Sequence, residues 1–425
     1  MKKIIILFTF FVLFIMGCGK KETETSNGSK KITLWTFQAL HEKFYKEMEK
    51  EWNKKNPETP IDLVVSVMPF DDMHNKLQIA IQTGKGGPDL ADLELRKFST
   101  AIEGEVQFLP MTKYIKGIED DLVMSRFDLY SKNNEYYGIP FHVGATVTYY
   151  NKELLESAGI DYNKIKTWKE YKEAGYKLKS ITGKPMAAVE INDIMAILPP
   201  LVQMEADYIN NQGNPDIDNP KAIQLYKEIQ QLLKDEVLVV AAGGFYHSEE
   251  FFGMVNNGGV ASLTMPLWYM GRFVDSMPDL KKKIIIAKMP MYEGNSVESV
   301  GLGGTGTVVL KSSPNAELAS KYLNFAKISE EGNTLIWTML GFDPVRKSVW
   351  DSEELQKKTM FDEYFLNSPI EVLNSVNGKI PSAKRGDKLS TIANEVSTNL
   401  YNNIFESLGN VEDEVRKSAK RIEGE

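Results

Sequence analysis

The stretch that decides the fold lies between residues 32 and 93, where ITLWTF (32–37), IDLVVSVM (61–68) and DLADL (89–93) form short apolar runs. Between these runs, residues 41–53 and 71–82 carry apolar side chains at the spacing of one helix face. Apolar runs that alternate with amphipathic helices are typical of parallel strands joined by right-handed crossovers. We therefore predict a parallel α/β sheet. Its ligand-facing edge lies beyond the carboxyl ends of the strands, at residues 35–38, 69–71 and 92–96.

Strand and helix signals continue through the rest of the chain. Residues 143–150 are rich in β-branched and aromatic side chains and predict a strand, and similar runs stand at 237–240, 259–265, 283–289 and 305–310. Helices are predicted at residues 151–158 and 315–328, and another begins after Thr167, with Glu170 at the capping-box position. The predicted fold class is therefore α/β over the whole chain.

Composition places the chain among ordinary globular proteins. It has 425 residues, of which 42% are apolar and 25% charged, with a formal net charge of −8. At about 150 residues per domain, this length predicts two or three domains. A mildly acidic chain offers no basic surface to nucleic acid, so we expect no such partner. A single cysteine excludes a disulfide framework.

The N-terminal residues follow the order of segments that is typical of an export signal. Lys2 and Lys3 precede an apolar run at residues 4–16, which is shorter than the ~20 residues of a membrane-spanning helix, so residues 1–17 are predicted to be a signal peptide. The run ends at Gly17-Cys18, which resembles a bacterial lipobox. We expect cleavage before Cys18, acylation of this residue and anchoring in the membrane. Residues 18–30 then form a flexible polar linker. The alternative is an ordinary signal peptide with a buried cysteine nearby.

Other motifs do not nominate a catalytic centre. Residues 301–306 read GLGGTG, but a strand signal follows where a dinucleotide site needs a helix. The histidines show no i, i+4 pairing and have no cysteine partners, so a dedicated zinc site is not expected. The carboxylate pairs at 249–250 and 353–354 lie in polar helical runs, which favours solvated helix faces over a glycosidase acid/base pair. We predict a protein that is not an enzyme and has no cofactor or metal.

Nine short sequence motifs, taken in their order along the chain, resemble those of a known family. They are LWTF (34–37), KL with AI (76–77 and 80–81), GPD (87–89), YGIP leading to YYNK (137–140 and 149–152), TW (167–168), DNP (218–220), MPLW (265–268), MP (289–290) and GG (303–304) before Ala319 and Phe325. This order, behind a lipobox, resembles the substrate-binding proteins of carbohydrate ABC transporters, the extracellular solute-binding group that includes maltose-binding protein. Within the group, the sequence looks most similar to lipoproteins of arabinose, arabino-oligosaccharide or lactose uptake. It departs from the maltose-binding pattern at MPLW, so the identity of the sugar is not carried over.

The resemblance implies a type II periplasmic-binding-protein fold, in which two α/β lobes close by hinge motion on a ligand in the cleft between them. It places the N-terminal lobe at residues 31–143 plus 303–339 and the C-terminal lobe at 144–302 plus 340–425. The chain would cross between lobes at residues 141–145, at 301–306 and near residue 340.

A sugar offers apolar C–H faces and many hydroxyls, so its site needs aromatic platforms and planar polar side chains. Position in the predicted elements and the resemblance together nominate Trp35, Gln38, His41, Glu94, His142, Trp268, Tyr269, Gly304, Thr305 and Arg346. The glycine-rich loop at 243–247 adds Phe245, Tyr246 and His247 as residues at the fringe.

Structural roles compete with these assignments. Trp35 is flanked by apolar residues and suits a core position, and His41 suits a solvent-facing first helical turn. Glu94 could pair with Arg96 or Lys97 instead of a ligand. His142 could serve only the hinge, and Arg346 only an ion pair within a lobe.

The predicted function is capture of a mono- or oligosaccharide and its delivery to the permease subunits of an ABC importer. The protein would act as a monomer, lipid-anchored on the extracellular face of the cell membrane or in the periplasm. One alternative is a receptor of the same fold for another solute, such as a peptide or polyamine. Another is a surface glycoside hydrolase or lyase, which needs two opposed carboxylates about 5–9 Å apart.

Overall fold

The computed structural model describes residues 28–376 and 380–424. The predicted signal peptide, Cys18 and most of the predicted linker lie outside the described residues. The strands are β1 (Lys30–Thr36), β2 (Ile61–Val67), β3 (Leu90–Glu94), β4 (Ser131–Lys132), β5 (Glu135–Tyr136), β6 (Gly138–Pro140), β7 (Thr146–Asn151), β8 (Ala187–Val189), β9 (Leu238–Val240), β10 (Ser262–Pro266), β11 (Ile284–Lys288) and β12 (Thr305–Val309).

The α-helices are α1 (Ala39–Lys55), α2 (Phe70–Thr83), α3 (Leu95–Ala101), α4 (Thr112–Ile115), α5 (Met124–Phe127), α6 (Lys152–Ser157), α7 (Trp168–Thr182), α8 (Leu198–Gln203), α9 (Pro220–Lys234), α10 (Glu249–Asn256), α11 (Met270–Ser276), α12 (Ala316–Lys327), α13 (Glu330–Leu340), α14 (Met360–Tyr364), α15 (Pro369–Ser375), α16 (Leu389–Glu395) and α17 (Val411–Gly424). Within the described part of the chain, none of the helices combines the length and the apolar character needed to cross a bilayer.

The first lobe is built on a five-stranded sheet in the order β2-β1-β3-β12-β6. β1 runs parallel to β2 and to β3, which confirms the predicted parallel arrangement of these three strands. β12 returns from much later in the chain and runs antiparallel to β3 and β6. The apolar face of α1, with Phe44, Tyr45, Met48 and Trp52, is buried against this sheet.

The second lobe contains an antiparallel sheet in the order β10-β7-β11 and a parallel pair, β8-β9. Helix α7 begins at the predicted N-cap, Thr167, and the capping box with Glu170 is formed. The C-terminal helices return to this lobe, where α15 contacts β11 and α17 contacts α9.

Three segments of chain run side by side where the lobes meet. The carboxylate of Asp343 accepts hydrogen bonds from the backbone N–H groups of Gly144 (3.1 Å) and Ala145 (2.6 Å). Gly144 O accepts from Leu302 N at 2.9 Å. Gly144 has φ +72°, and a Cβ there would collide with the carbonyl of Leu302, so this crossing requires glycine. The strand predicted to begin at residue 143 therefore begins only at Thr146.

The chain after α13 stays in contact with the first lobe for several residues. Arg346 forms an antiparallel bridge with Leu122, and its guanidinium binds Asp121 at 2.7 Å. Further on, Leu366 N donates to Ile284 O in β11 at 2.9 Å, so the chain has reached the second lobe by then.

Candidate functional site

A cavity of about 570 Å³ lies between the two lobes. Residues from both lobes and from the crossing segments line it. Its volume falls within the 300–1,000 Å³ that is common for small-molecule sites. Of the ten predicted site residues, seven line the cavity: Gln38, His41, Glu94, His142, Trp268, Gly304 and Thr305.

The wall of the first lobe is polar and lies at the carboxyl ends of the parallel strands, as the strand order predicts. Gln38 stands before α1, and His41 lies in its first turn. Glu94 ends β3, and its carboxylate accepts from Arg96 N at 2.8 Å, which caps α3. Thr305 begins β12 and pairs in register with Glu94, so both side chains reach the same edge of the sheet.

The wall of the second lobe is aromatic. The Trp268 and His247 rings stack at 5.7 Å with an interplanar angle of 14°, and Phe245 lies beside His247 at 5.2 Å. Trp268 Nε1 donates to Leu302 O at 3.2 Å, which fixes the indole against the crossing segment. Burial lowers the pKa of His247 to about 4, and the positive charge of Arg272 adds to this shift. His247 is therefore a neutral aromatic surface at neutral pH.

The floor of the cavity is formed by the crossing segments. His142 is 7% exposed and packs between Trp268 at 6.3 Å and Phe342 at 5.3 Å. Burial holds the pKa of His142 well below its ordinary value. Gly303 and Gly304 complete the floor, and the left-handed backbone of Gly303 (φ +71°) lets the chain pass close beneath Trp268.

One ion pair spans the cavity from lobe to lobe. Arg96 of the first lobe lies 3.3 Å from the carboxylate of Glu94 and 3.6 Å from that of Asp193, which belongs to the second lobe. Burial raises the pKa of Glu94, and Arg96 opposes this shift. Glu94 was predicted either to bind a ligand or to pair with Arg96 or Lys97, and in the structure it lines the cavity and is paired with Arg96.

Charge is nearly balanced around the cavity. The carboxylates of Glu94, Asp193 and Asp275 face the guanidinium groups of Arg96 and Arg272. Among the described residues, no cluster of three His, Cys, Asp or Glu side chains has the geometry of a metal site. The arrangement therefore suits a neutral ligand that has apolar faces for the aromatic wall and hydroxyls for the charged and polar groups.

Three predicted residues do not line the cavity, and each is held elsewhere. Trp35 is 9% exposed and packs in the core beneath α2, where Lys76 Nζ lies 4.6 Å from its ring centroid. Tyr269 is fully buried, and its hydroxyl donates to Tyr246 O. Arg346 pairs with Asp121 at 2.7 Å and with Glu330 at 3.2 Å, both in the first lobe.

Of the three loop residues nominated with less emphasis, Phe245 and His247 line the cavity, whereas Tyr246 is buried behind it. The cavity is also lined by four residues that were not predicted as site residues: Asp193, Arg272, Asp275 and Phe342. Asp193 lies in a loop after β8, a three-residue strand too short to show a period. Arg272 and Asp275 lie on α11 directly after Trp268, so helical spacing from that residue was a usable signal.

The family model and the curated relatives that match this chain all describe binding proteins. The model of the bacterial extracellular solute-binding proteins matches residues 37–332. The arabinooligosaccharide-binding protein of Bacillus subtilis (strain 168) is 43% identical over 364 residues, which cover 85% of this chain and 84% of that protein. The protein of the same name from Halalkalibacterium halodurans is 40% identical over 394 residues, 92% of this chain and 88% of that protein.

Solved structures share the fold at low sequence identity. The sugar-binding protein MalE from Xanthomonas citri has a TM-score of 0.76 and 17% identity, and the match covers 92% of this chain and 96% of that one. A binding protein associated with an ABC transporter of B. animalis subsp. lactis, solved with β-1,6-galactobiose, has a TM-score of 0.73 and 21% identity, with 92% and 96% coverage. At this identity the likeness establishes the two-lobe fold.

Proposed function

Because the chain belongs to the bacterial extracellular solute-binding proteins, we propose that its cleft captures an arabino-oligosaccharide and that the closed protein delivers this sugar to the permease of an ABC importer. The family resemblance seen in the sequence and the predicted two-lobe α/β fold are both confirmed. The relatives that share at least 40% identity with this chain are named as binding proteins, which supports a role in binding rather than catalysis.

The observation that carries the proposal is the cavity itself, which has an aromatic wall in one lobe and a polar wall in the other. Trp268 and His247 offer flat surfaces for the C–H face of a sugar ring. His41, Glu94 and Arg96 offer acceptors and donors for hydroxyls. A ligand gripped in this way touches both lobes, and only such a ligand can favour their closure.

The near balance of charge argues against the predicted alternative of a cationic solute. A polyamine would need an excess of carboxylates, whereas Arg96 and Arg272 lie among them here. The volume of about 570 Å³ has room for more than one sugar unit, which supports an oligosaccharide over a monosaccharide.

Isothermal titration with arabinose, arabinobiose, arabinotriose, lactose and maltotriose tests the proposal. We expect the arabino-oligosaccharides to bind with micromolar or lower dissociation constants and arabinose to bind much more weakly. Maltotriose serves as a control of similar size. Binding of lactose or maltotriose in preference to arabinotriose would reject the arabinose assignment, and no binding of any sugar by the folded protein would reject sugar capture altogether.

We also propose that the mature protein is a monomer anchored at the outer face of the membrane through acylated Cys18. The relevant residues precede the described part of the chain, and the proposal rests on their sequence. The lobe boundaries remain those of the sequence analysis, except that the contacts of Arg346 with the first lobe favour a third crossing after residue 348.

A further inference from the structure

Behind the polar wall of the first lobe lies a fully buried carboxylate that the ligand cannot reach. Asp92, in the middle of β3, is 0% exposed. Its Oδ2 accepts from Thr36 Oγ1 at 2.7 Å and contacts His41 Nδ1 at 2.8 Å. Its Oδ1 accepts from Tyr45 OH at 2.7 Å and from Thr307 Oγ1 at 2.8 Å. Such a set of donors stabilises an ionised carboxylate.

A buried lysine supplies the counter-charge. Lys327 Nζ donates to Ile139 O and to Thr307 Oγ1, both at 2.7 Å, and lies 3.5 Å from the centroid of the Phe141 ring. These three partners match the three N–H groups of an ammonium, because a neutral amine would turn its lone pair toward the negative face of the ring. Burial lowers the pKa of Lys327, and the charge of Asp92 opposes that shift. We assign the positive charge to Lys327 on the geometry of its partners.

The electrostatics of Asp92 agree with an ionised group. Its carboxylate accepts hydrogen bonds from the hydroxyls of Thr36, Tyr45 and Thr307, and the nearby Lys327 supplies the opposite charge. With Asp92 negative and Lys327 positive, the cluster is neutral without a second proton on His41. A doubly protonated His41 would leave an uncompensated charge in a buried environment, which is costly.

His41 joins this cluster to the cavity. Its side chain is 4% exposed, and its ring stacks on Phe141 at 3.9 Å and 23°. The bond to Asp92 uses Nδ1, and within the described residues no hydrogen bond is made by Nε2. Since His41 lines the cavity, Nε2 is the atom available to a ligand.

We propose that Asp92 is a positioning residue that holds His41 as the neutral tautomer protonated at Nδ1, so that Nε2 accepts a hydrogen bond from one hydroxyl of the ligand. Asp92 itself never touches the ligand. The hydroxyl belongs to the sugar of the proposed function, so this half of the inference rests on that function, whereas the tautomer is a property of the ligand-free protein. A site built around one fixed acceptor discriminates strongly against a ligand that lacks the matching hydroxyl.

The tautomer is measured first, in the ligand-free wild-type protein labelled with ¹⁵N at the histidine rings. The chain has four histidines, so the long-range ¹H–¹⁵N spectrum is simple, and His41→Asn identifies the signals of His41 by their loss. We expect a protonated Nδ1 and an unprotonated Nε2 at pH 7. An imidazolium, or a proton on Nε2, would overturn the proposal whether or not any sugar binds.

The substitution Asp92→Asn tests the positioning role. Tyr45 and Thr307 donate to Oδ1, so the carbonyl oxygen of an asparagine should take that place and its NH2 group should face His41 Nδ1. An amide that donates to Nδ1 forces the proton to Nε2, which converts the ligand-facing acceptor into a donor, as the equivalent change does in serine proteases. We expect the ¹⁵N spectrum to report this switch and the affinity for arabinotriose to fall about 10- to 100-fold. An unchanged tautomer or an unchanged affinity in the folded variant would refute the proposal.

Asp89→Asn is the matched control. Asp89 precedes β3, is 5% exposed, and accepts from Thr33 N at 2.7 Å and Thr33 Oγ1 at 2.8 Å, but it contacts no histidine. This variant should lose stability to a similar extent and keep both the His41 tautomer and the affinity. Equal losses of affinity in both variants would mean that Asp92 acts only through general stability.

A double substitution separates positioning from structure. His41→Asn keeps an amide N–H within reach of Asp92 but places nothing at Nε2, so it should weaken sugar binding by itself. Adding Asp92→Asn to this background should then cost little further affinity, because its effect passes through His41. Additive losses would contradict a role through His41. If the wild-type protein shows the expected tautomer but binds no sugar, the proposed function fails and the positioning of His41 stands.

Discussion

Trp268 offers the sharpest test of the aromatic wall, through the substitution Trp268→Ala. The indole is partly exposed to the cavity, its ring stacks with His247, and its Nε1 donates to the crossing segment at Leu302. Removing the ring takes away the largest flat surface that a sugar can contact. Replacing an aromatic side chain that stacks on a nucleobase with alanine costs about 1–3 kcal/mol of binding free energy. A sugar face has a similar area, so we expect Trp268→Ala to lower the affinity about 5- to 150-fold.

The same substitution also lowers the stability of the fold. It removes one neutral hydrogen bond, about 1 kcal/mol, and the contacts with the rings of His142, His247 and Tyr269, about 0.5–1.5 kcal/mol each, so the free energy of unfolding should fall by roughly 2–5 kcal/mol. Trp268→Phe should keep part of the stacking surface and fall between the wild type and the alanine variant. Isothermal titration with arabinotriose and urea unfolding measure the two effects separately.

Trp168→Ala is the control for this experiment. Trp168 belongs to the same lobe, also packs against aromatic residues, and its Nε1 donates to Gln203 Oε1 at 2.7 Å, but it does not line the cavity. This variant should lose stability and retain affinity within about twofold. Unchanged affinity in Trp268→Ala, or the same loss in both tryptophan variants, would refute the placement of the sugar against Trp268.

Three further predictions follow from other parts of the molecule. Saturating arabinotriose should reduce the radius of gyration measured by small-angle scattering. Asp193→Asn should increase the radius of gyration of the ligand-free protein, because it removes the lobe-to-lobe ion pair with Arg96. Equal radii in all three samples would reject closure of the lobes. Cys18→Ser should release the protein into the medium with unchanged sugar affinity, and retention at the membrane would reject the lipid anchor. Burial lowers the pKa of His74 from 6.5 to about 4, so the folded protein keeps this side chain neutral at pH values where the unfolded chain binds a proton. The stability that comes from neutral His74 is complete above pH 6.5 and is lost as pH falls toward 4, which lowers the free energy of unfolding by up to roughly 3 kcal/mol. His74→Gln should flatten this slope in urea unfolding measured at several pH values, and an identical slope would contradict the assignment.

The parallel sheet of the first lobe was predictable because its signal is local. Each strand of residues 32–93 is a short apolar run, and each connecting helix shows a 3.6-residue period, so neither needs knowledge of distant residues. Ligands bind at the carboxyl ends of parallel strands, and this rule correctly predicted that Gln38, His41 and Glu94 line the cavity. The resemblance to the family was likewise visible in short motifs, each of them contiguous in the sequence.

The position of Trp35 could not be predicted from a local pattern. Successive residues of a strand point to opposite faces, and the sequence does not say which face α2 covers. In the structure, Trp35 lies on the face beneath α2 and joins its core, so it is unavailable to the cavity. Tyr269 is similar, because the turn after β10 points Trp268 toward the cavity and buries its neighbour.

The sequence by itself determined the α/β class, the parallel direction of the first strands and the resemblance to the family, since all three depend on local periodicity and on short contiguous motifs. Only the tertiary structure decided which side chains meet across the cleft. Arg96 and Asp193 are 97 positions apart and lie on different lobes, yet their charged groups approach to 3.6 Å. Their meeting depends on how the crossing segments set one lobe against the other, and no local pattern encodes that angle.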